Sequence, residues 1–209
     1  MTVDRPGSGV TFDAVRSDAH LPLLRRWLAE PHLRPWWEVD DVAAYVAATP
    51  AHQRAWVVAD AAGPYGYVET YRAADDPLAD HAPVGPADRG WHVLVGDPAR
   101  IGTGAAQRLA IATVCGLLGE PGVERVVCEP DVRNARMLAF CTALGGRTLT
   151  EFDFAGRKRA ALVAWTRDDV AARWPDVLEQ AVRVGRRWDA LDAPVEAGRA
   201  GAPPTGGDR

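Results

Sequence analysis

Apolar residues recur along this chain with two different periods, and the switches between them divide it into elements. Residues 10–15 carry Val10, Phe12 and Ala14 on one face, a two-residue repeat that predicts a short strand. Leu21, Leu23, Leu24, Trp27 and Leu28 follow at helical spacing, with Asp18 placed to cap the helix and Glu30-Pro31 ending it. Pro35 precedes Trp36 and Trp37, and residues 39–48 predict a second short helix stopped by Pro50. Residues 55–59 and 65–71 read as strands, with Gly63-Pro64 as the turn between them. Residues 72–89 are rich in Asp, Ala and Pro and show no period, which predicts a long loop of the functional or mobile kind.

Regular alternation then resumes. Residues 91–95 predict a strand, 96–104 a Gly/Pro turn, and 105–118 a helix apolar on all sides and therefore buried. A strand over 123–128 precedes a helix over 134–144, which Gly145-Gly146 stops. Residues 147–154 and 159–166 form a last hairpin around Ala155-Gly156. The order β-α-α-β-β-loop-β-α-β-α-β-β predicts one α/β (α+β) domain around a central sheet. Two antiparallel hairpins interrupt the alternation, which argues against a Rossmann domain. Past Asp168, the positions Val170, Trp174, Val177, Leu178, Ala181, Val182 and Trp188 keep a roughly helical spacing. The chain thus divides into a domain over 1–167, a helical extension over 168–191 that packs on the domain or mediates dimerisation, and a Gly-, Pro- and Ala-rich tail over 192–209, disordered by composition.

Composition narrows the class. With 209 residues, 47% hydrophobic and 25% charged, the chain can bury a sizeable core. A net charge of −4 argues against nucleic acid or an anionic membrane as partner. There is no run of about 18 apolar residues, and the N-terminus lacks the apolar core of a secretory signal, so a cytoplasmic protein is expected. The three cysteines, Cys115, Cys128 and Cys141, lie in apolar stretches without a C-x-x-C pair, so neither disulfides nor a metal site are expected. Of the 24 basic residues only Lys158 is a lysine.

Candidate chemistry concentrates in two patches. The first runs from Trp91-His92 through Gly102-Thr103-Gly104-Ala105-Ala106, a strand, a turn of small residues and a helix start. Such a turn offers backbone N–H groups to a phosphate, and it equally suits a tight turn that merely needs glycine. It is not a Walker loop, because no Gly-Lys-Ser/Thr follows. The second is Cys128-Glu129-Pro130-Asp131-Val132-Arg133-Asn134, where Asp131 and Asn134 suit helix capping, or Asp131 suits catalysis if it lies near His92.

Together these motifs resemble the GNAT superfamily of acyl-CoA-dependent N-acyltransferases. The residues that carry the likeness are Trp27-Leu28, Pro31-His32-Leu33-Arg34-Pro35-Trp36-Trp37, Gly66-Tyr67-Val68-Glu69-Thr70-Tyr71-Arg72, Arg89-Gly90-Trp91-His92, the glycine turn, and the run from Glu129 to Gly145. Within the superfamily they are similar to the siderophore-pathway lysine and hydroxylamine acyltransferases and their aminoglycoside N-acetyltransferase relatives. The likeness covers about residues 8–167. It implies a mixed sheet flanked by helices and splayed between the His92 strand and the strand ending at Cys128. Acyl-CoA or acyl-phosphopantetheine would lie in that split, along Leu94, Val95 and Gly96, with its pyrophosphate on Ile101, Gly102, Thr103, Gly104, Ala105 and Ala106, and with Asn134 and Cys141 nearby.

It also implies His92 and Asp131 as the catalytic pair. An amine is mostly ammonium at pH 7, and histidine is suited to take its proton. Asp131 would orient the imidazole or hold the ammonium, and backbone N–H groups freed by a bulge near residues 94–96 would stabilise the oxyanion. Trp36, Trp37, Tyr67, Glu69 and Tyr71 would wall the acceptor pocket, and Asp75, Asp76, Asp80 and Asp88 would lend the neighbouring loop an acidic cast. Three departures stand out. Ile101 replaces the usual Gln or Arg, Thr103 and Ala106 occupy positions often basic and glycine, and Cys141 stands where many members carry a tyrosine. The weakened loop suggests a donor carried on an acyl or peptidyl carrier protein, docked on Arg100, Arg108, Arg133 and Arg136. The acceptor would be a small amine, and the chain a monomer or homodimer. An aminoglycoside-type N-acetyltransferase and a non-catalytic acyl-pantetheine binder are the alternative readings.

Overall fold

The computed structural model describes residues 2–5 and 9–184. Eight strands form a single sheet in the order β1-β2-β3-β4-β5-β6-β8-β7: β1 Thr2–Arg5, β2 Val10–Ala14, β3 Gln53–Asp60, β4 Gly63–Arg72, β5 Asp88–Val95, β6 Arg125–Cys128, β7 Arg147–Phe154 and β8 Lys158–Thr166. Every neighbouring pair is antiparallel except β5–β6. The predicted element order holds, with β1 added at one edge. Its four residues, with Val3 alone apolar, are too short a run to signal a strand without the pairing that β2 supplies.

Helices α1 (Ser17–Leu28) and α2 (Val42–Ala47) bury Leu24, Trp27 and Val42 with Val57, Tyr67 and Leu94 of the sheet. Helices α3 (Ala105–Gly119) and α4 (Ala135–Ala143) belong to a second cluster that includes Val58, Tyr65, Trp91, Val126 and Trp165. The sheet is therefore a middle layer with a core on each face. Asp18 does not cap α1. The cap position is Arg16, with no side-chain cap bond, and Asp18 lies in the first turn, where its charge suits the helix dipole. The β3–β4 turn is Ala61-Ala62, two residues ahead of the expected Gly63-Pro64, because Asp60 Oδ1 accepts the Ala62 N–H at 2.9 Å and β4 begins at Gly63.

The predicted loop over 72–89 is folded. Two short 3-10 turns, Ala73–Asp75 and Pro77–Asp80, bury Ala73 and Leu78 in a third cluster with Tyr71, Phe154 and Leu162. Its acids are mostly committed to structure. Asp75 pairs with Arg72 at 2.6 Å, Asp76 accepts the Leu78 N–H at 2.9 Å, and buried Asp88 pairs with Arg125 at 2.6 Å. Asp75 and Asp80 stay exposed, as expected of the loop.

The C-terminal extension is two helices, α5 (Arg167–Ala171) and α6 (Pro175–Val184), interrupted before Pro175, which suits a first helical turn. Leu178 joins the main core, and a Cβ at Gly119 of α3 would come within 2.7 Å of the Ala181 carbonyl oxygen. Of the two roles expected for this extension, it thus packs on the domain. The end of the expected helix past residue 184 and the tail over 192–209 lie outside the described residues. Among the described residues no helix is long and apolar enough to cross a membrane.

Candidate active site

The site originates in a mismatch of strand lengths. β5 pairs with β6 only through Asp88↔Arg125, Arg89↔Val126 and Gly90↔Val127, whereas it stays paired with β4 as far as Val95. From Trp91 onward β5 has lost its β6 neighbour, and the chain after β6 follows β8 instead, with Ala161 N–H on Pro130 O and Val132 N–H on Arg159 O, both at 2.9 Å. The sheet splits there, as the splayed architecture requires.

His92 stands at the root of the split. It lies directly opposite Glu69 in the β4–β5 ladder, and two-residue alternation puts Tyr67, Glu69 and Tyr71 on one face. His92 Nδ1 meets Glu69 Oε2 at 2.9 Å, and Nε2 reaches across the split to Glu129 Oε1, also at 2.9 Å. Glu69 Oε1 accepts the hydroxyls of Tyr45 and Tyr67. Glu129 Oε2 accepts the Tyr71 hydroxyl at 2.9 Å, and Lys158 Nζ lies 3.4 Å from Oε1 while donating to the Glu129 carbonyl at 2.6 Å. Trp37 packs in T-shaped contact with Tyr45, Tyr67 and His92, with ring centroids 6.5, 5.8 and 6.3 Å apart. Both carboxylates are buried, but a third of the His92 side chain stays exposed, so the cluster opens at its histidine.

These contacts set the charges. Burial opposes the His92 imidazolium, yet Glu129 and Glu69 outweigh it and push its pKa up to about 10. Burial likewise opposes ionisation of Glu129 and Glu69, but His92 with Lys158 and Tyr71 holds Glu129 far below the usual carboxylate range, and His92 with Tyr45 and Tyr67 holds Glu69 below it. Burial and the Glu69 charge raise the Tyr45 and Tyr67 hydroxyls, which stay protonated donors.

Asp131, the expected partner of His92, is not joined to it. Its carboxylate accepts the Arg133 N–H at 2.8 Å and the Arg133 guanidinium at 2.6 and 3.0 Å, which keeps its pKa low. Glu129, two residues earlier, takes the place expected of it. Asn134 is the cap of α4, its Oδ1 accepting the Met137 N–H at 3.0 Å. The tryptophan pair divides: Trp37 walls the cluster, and Trp36 is 41% exposed.

The remaining expected residues line the route to the glycine turn. By ladder alternation the backbone groups of Val93 and Val95 face the split, and His32 Nε2 meets the Val95 carbonyl at 2.9 Å. Leu94 is buried under α1 and α2. Gly96 is not a free oxyanion donor. Its N–H goes to Tyr65 O at 2.8 Å, and a Cβ there would lie 2.0 Å from the buried Trp27 ring, so glycine is needed for packing. The β4–β5 ladder runs without a register shift as far as Val95, and the next two N–H groups, of Gly96 and Asp97, both go to Tyr65 O, at 2.8 and 3.2 Å. Gly102 and Gly104 both have φ of +80°, and Gly104 caps α3 ahead of Ala105 and Ala106. Nothing lies within 4 Å of a Cβ built on Gly102, so this left-handed turn presents bare backbone at the positive end of a helix and fits a pyrophosphate. Ile101 is half-buried, and Thr103 Oγ1 donates to Arg100 O at 2.8 Å. Cys141 is fully buried with its Sγ 3.9 Å from that of Cys128, an apolar packing residue. Among the described residues no three His, Cys, Asp or Glu side chains are grouped to hold a metal.

Residues 16–154 match the family model described as acetyltransferase (GNAT) domain. The chain belongs to the GNAT acetyltransferase family. Among curated GNAT relatives, an N(6)-hydroxylysine O-acetyltransferase of Escherichia coli is 31% identical over 146 residues, covering 66% of this chain and 46% of that protein. The chain thus spans less than half the length of that relative. The lysine N-acyltransferase MbtK of Mycobacterium tuberculosis is 28% identical over 152 residues, covering 66% of this chain and 69% of the relative. A solved aminoglycoside acetyltransferase AAC(6')-Ib in complex with coenzyme A superposes with a TM-score of 0.67, covering 80% of this chain and 99% of that one. At 20% identity that likeness shows the GNAT fold alone.

Of the side chains in this cluster, the sequence singles out His92 as catalytic and Glu69, Tyr67, Tyr71 and Trp37 as acceptor wall, and it assigns no site role to Glu129, Tyr45 or Lys158. A signal for Glu129 was present: it is a carboxylate held against the end of the apolar strand Val126-Val127-Cys128 by the following proline.

Proposed function

We propose that this protein transfers an acyl group from a pantetheine thioester to the nitrogen of a small amine or hydroxylamine metabolite, in siderophore or related specialised biosynthesis. The observation that carries this reading is His92, held between two buried carboxylates where the sheet splits and open to solvent beside Trp37. The printed activities of the lysine and hydroxylysine relatives support it. In this reading His92 handles the proton that the acceptor loses, Glu69 and Glu129 orient it, and the aromatic rings of Trp37, Tyr67 and Tyr71 flank the acceptor. Asp131 would join the chemistry only by leaving Arg133.

The donor lies along the β5 edge with its pyrophosphate on residues 101–106. Arg100 and Arg108 both pair with Asp60, and Arg133 pairs with Asp131, while Arg136 is exposed. A carrier-protein donor therefore has less free positive charge to dock on than the sequence suggests, and acyl-CoA is the donor we favour. The test is thiol release and product mass with acetyl-CoA against lysine, N6-hydroxylysine, putrescine, N-hydroxyputrescine and an aminoglycoside. Saturable acylation of a lysine- or putrescine-type acceptor supports the reading. Turnover confined to the aminoglycoside replaces it with the antibiotic-modifying alternative, and no acylation with either acyl-CoA or an acyl carrier protein refutes it.

A further inference from the structure

Each ring nitrogen of His92 faces a carboxylate oxygen at 2.9 Å. The Tyr71 hydroxyl also lies 3.3 Å from Nε2, but its proton goes to Glu129 Oε2 at the shorter distance of 2.9 Å. An ionised carboxylate only accepts hydrogen bonds, so both nitrogens donate and the ring is an imidazolium with no lone pair to offer. A protonated carboxylate would relax that requirement, but both are surrounded by donors. Glu69 Oε1 already accepts Tyr45 and Tyr67 from α2 and β4. Glu129 accepts Tyr71 from β4 and faces the Lys158 ammonium from β8. Cys128, at the end of β6 beside Glu129, has its thiol pushed up by burial and stays neutral. Asp76, on the second 3-10 turn, bears on Tyr71 and lies 3.5 Å from His52 Nε2. Among the described residues, the negative charges next to His92 are thus two, and both touch it.

We propose that His92 enters acyl transfer as an acid, with Glu129 holding its Nε2 proton in line for the departing sulfur, so that the acceptor nitrogen must arrive uncharged. This deepens the acyl-transfer reading and rests on it. The nitrogen–carbon bond forms with the acceptor's lone pair, and the carbon–sulfur bond breaks with its electron pair going to sulfur. The sulfur takes the Nε2 proton. The acylated nitrogen then sheds its own proton, which the now neutral His92 takes back at Nε2. Glu69 and Glu129 end as they began, and the sum is thioester plus amine giving amide plus thiol. The elevated pKa of His92 accords with a resting imidazolium; passing its proton to a thiolate, whose thiol is ordinarily near 8.5, runs uphill and is completed when the acylated nitrogen returns a proton to the ring. An alkyl amine with a pKa of about 10.4 is neutral in only about one molecule in a few thousand at pH 7. Nitrogens made less basic by an attached oxygen suit the site better.

The test follows the ring itself and needs no turnover. Protein labelled with 15N-histidine is titrated from pH 5 to 11, with His92→Gln identifying the His92 signals. The expected result is two protonated ring nitrogens at pH 7 and a midpoint well above 6.5. Glu129→Gln should lower that midpoint by about one to three units, the usual effect of removing an adjacent opposite charge. It should move the alkaline limb of kcat/KM down by the same amount. A bare nitrogen at pH 7, or a midpoint near 6.5, overturns the inference even if the protein acylates amines. An alkaline limb that stays put while the midpoint moves also overturns it, by removing His92 from proton delivery. If Glu129→Gln does not fold, Lys158→Met strips the competing ammonium from Glu129 and should raise the midpoint; a fall refutes the proposed electrostatics. A protein that shows the imidazolium but acylates nothing would count against the acyl-transfer reading instead.

Discussion

Replacing Gly90 with alanine adds one methyl group to β5, directly across the ladder from Tyr71. A Cβ at that position would lie 2.0, 2.1 and 2.6 Å from Cε2, Cζ and Cδ2 of the Tyr71 ring. Favourable carbon–carbon contact begins near 3.5 Å, so the ring has to move by more than an ångström. Gly90 does not have a left-handed φ, and the penalty is therefore one of space alone. Tyr71 is 1% exposed and packs with Val127 and Leu162, so its ring cannot swing into solvent. Overpacking of this kind costs about 1–3 kcal/mol. Displacing the ring also loses its hydrogen bond to the ionised Glu129, worth about 1.5–3 kcal/mol. A combined loss of about 2.5–6 kcal/mol should lower the melting temperature by about 5–24 °C in a domain of this size. The assay is thermal and urea unfolding of Gly90→Ala in two backgrounds, wild type and Tyr71→Ala. With the ring gone, the added methyl should cost no more than about 0.5 kcal/mol, the ordinary scatter of uncoupled sites. A Gly90→Ala variant that melts with the wild type, or one equally costly in both backgrounds, refutes the argument.

Other consequences are equally open to measurement. Glu129→Gln should reduce kcat/KM about tenfold or more, as expected for a group acting through proton transfer, whereas Asp131→Asn should change it less than threefold; the reverse order would restore Asp131 as the partner of His92. Stability should peak at mildly acid pH. The lowered pKa values of Glu69 and Glu129 give stability that is present above about pH 4.3 and lost as pH falls, while the raised pKa of His92 gives stability complete below about pH 6.5 and lost as pH rises through about 10. Urea midpoints across pH should show both arms, and His92→Gln should flatten the alkaline one; an unchanged alkaline arm would assign it elsewhere. Thr166→Ala removes the reciprocal capping box with Asp169 at the start of α5 and should cost about 1 kcal/mol in the same unfolding assay; no loss would mean that packing of Val170, not the cap, starts that helix.

How much of this was legible in the sequence depends on the range of each interaction. Helices and strands were readable because their apolar period is local, and the glycine turn because Gly102 and Gly104 mark left-handed backbone. The order of elements also carried the splayed sheet through the family likeness. Residues 72–89 were misread because 3-10 turns have no amphipathic period, so buried Ala73 and Leu78 left no trace in the pattern. The partners of His92 were hidden for a different reason. That Glu69 lies opposite it depends on ladder register across an intervening segment. That Glu129 rather than Asp131 reaches it depends on where β6 ends and on Arg133 having already claimed the aspartate. Alternation along one strand is visible in a string of letters, whereas distances across a split between two strands are not.

Lys158 is the one lysine among 24 basic side chains, and its Nζ rests on Glu129 with 27% of the side chain exposed. For covalent chemistry this means that the side chains of this chain present a single primary amine, and it stands at the floor of the site. An amine-selective label should therefore add one side-chain adduct, which a ligand bound against Glu129 would shield. Guanidinium groups elsewhere would stay unmodified. The rate of that one adduct, read by mass, becomes a footprint of site occupancy that needs neither a chromogenic substrate nor knowledge of which amine the protein takes.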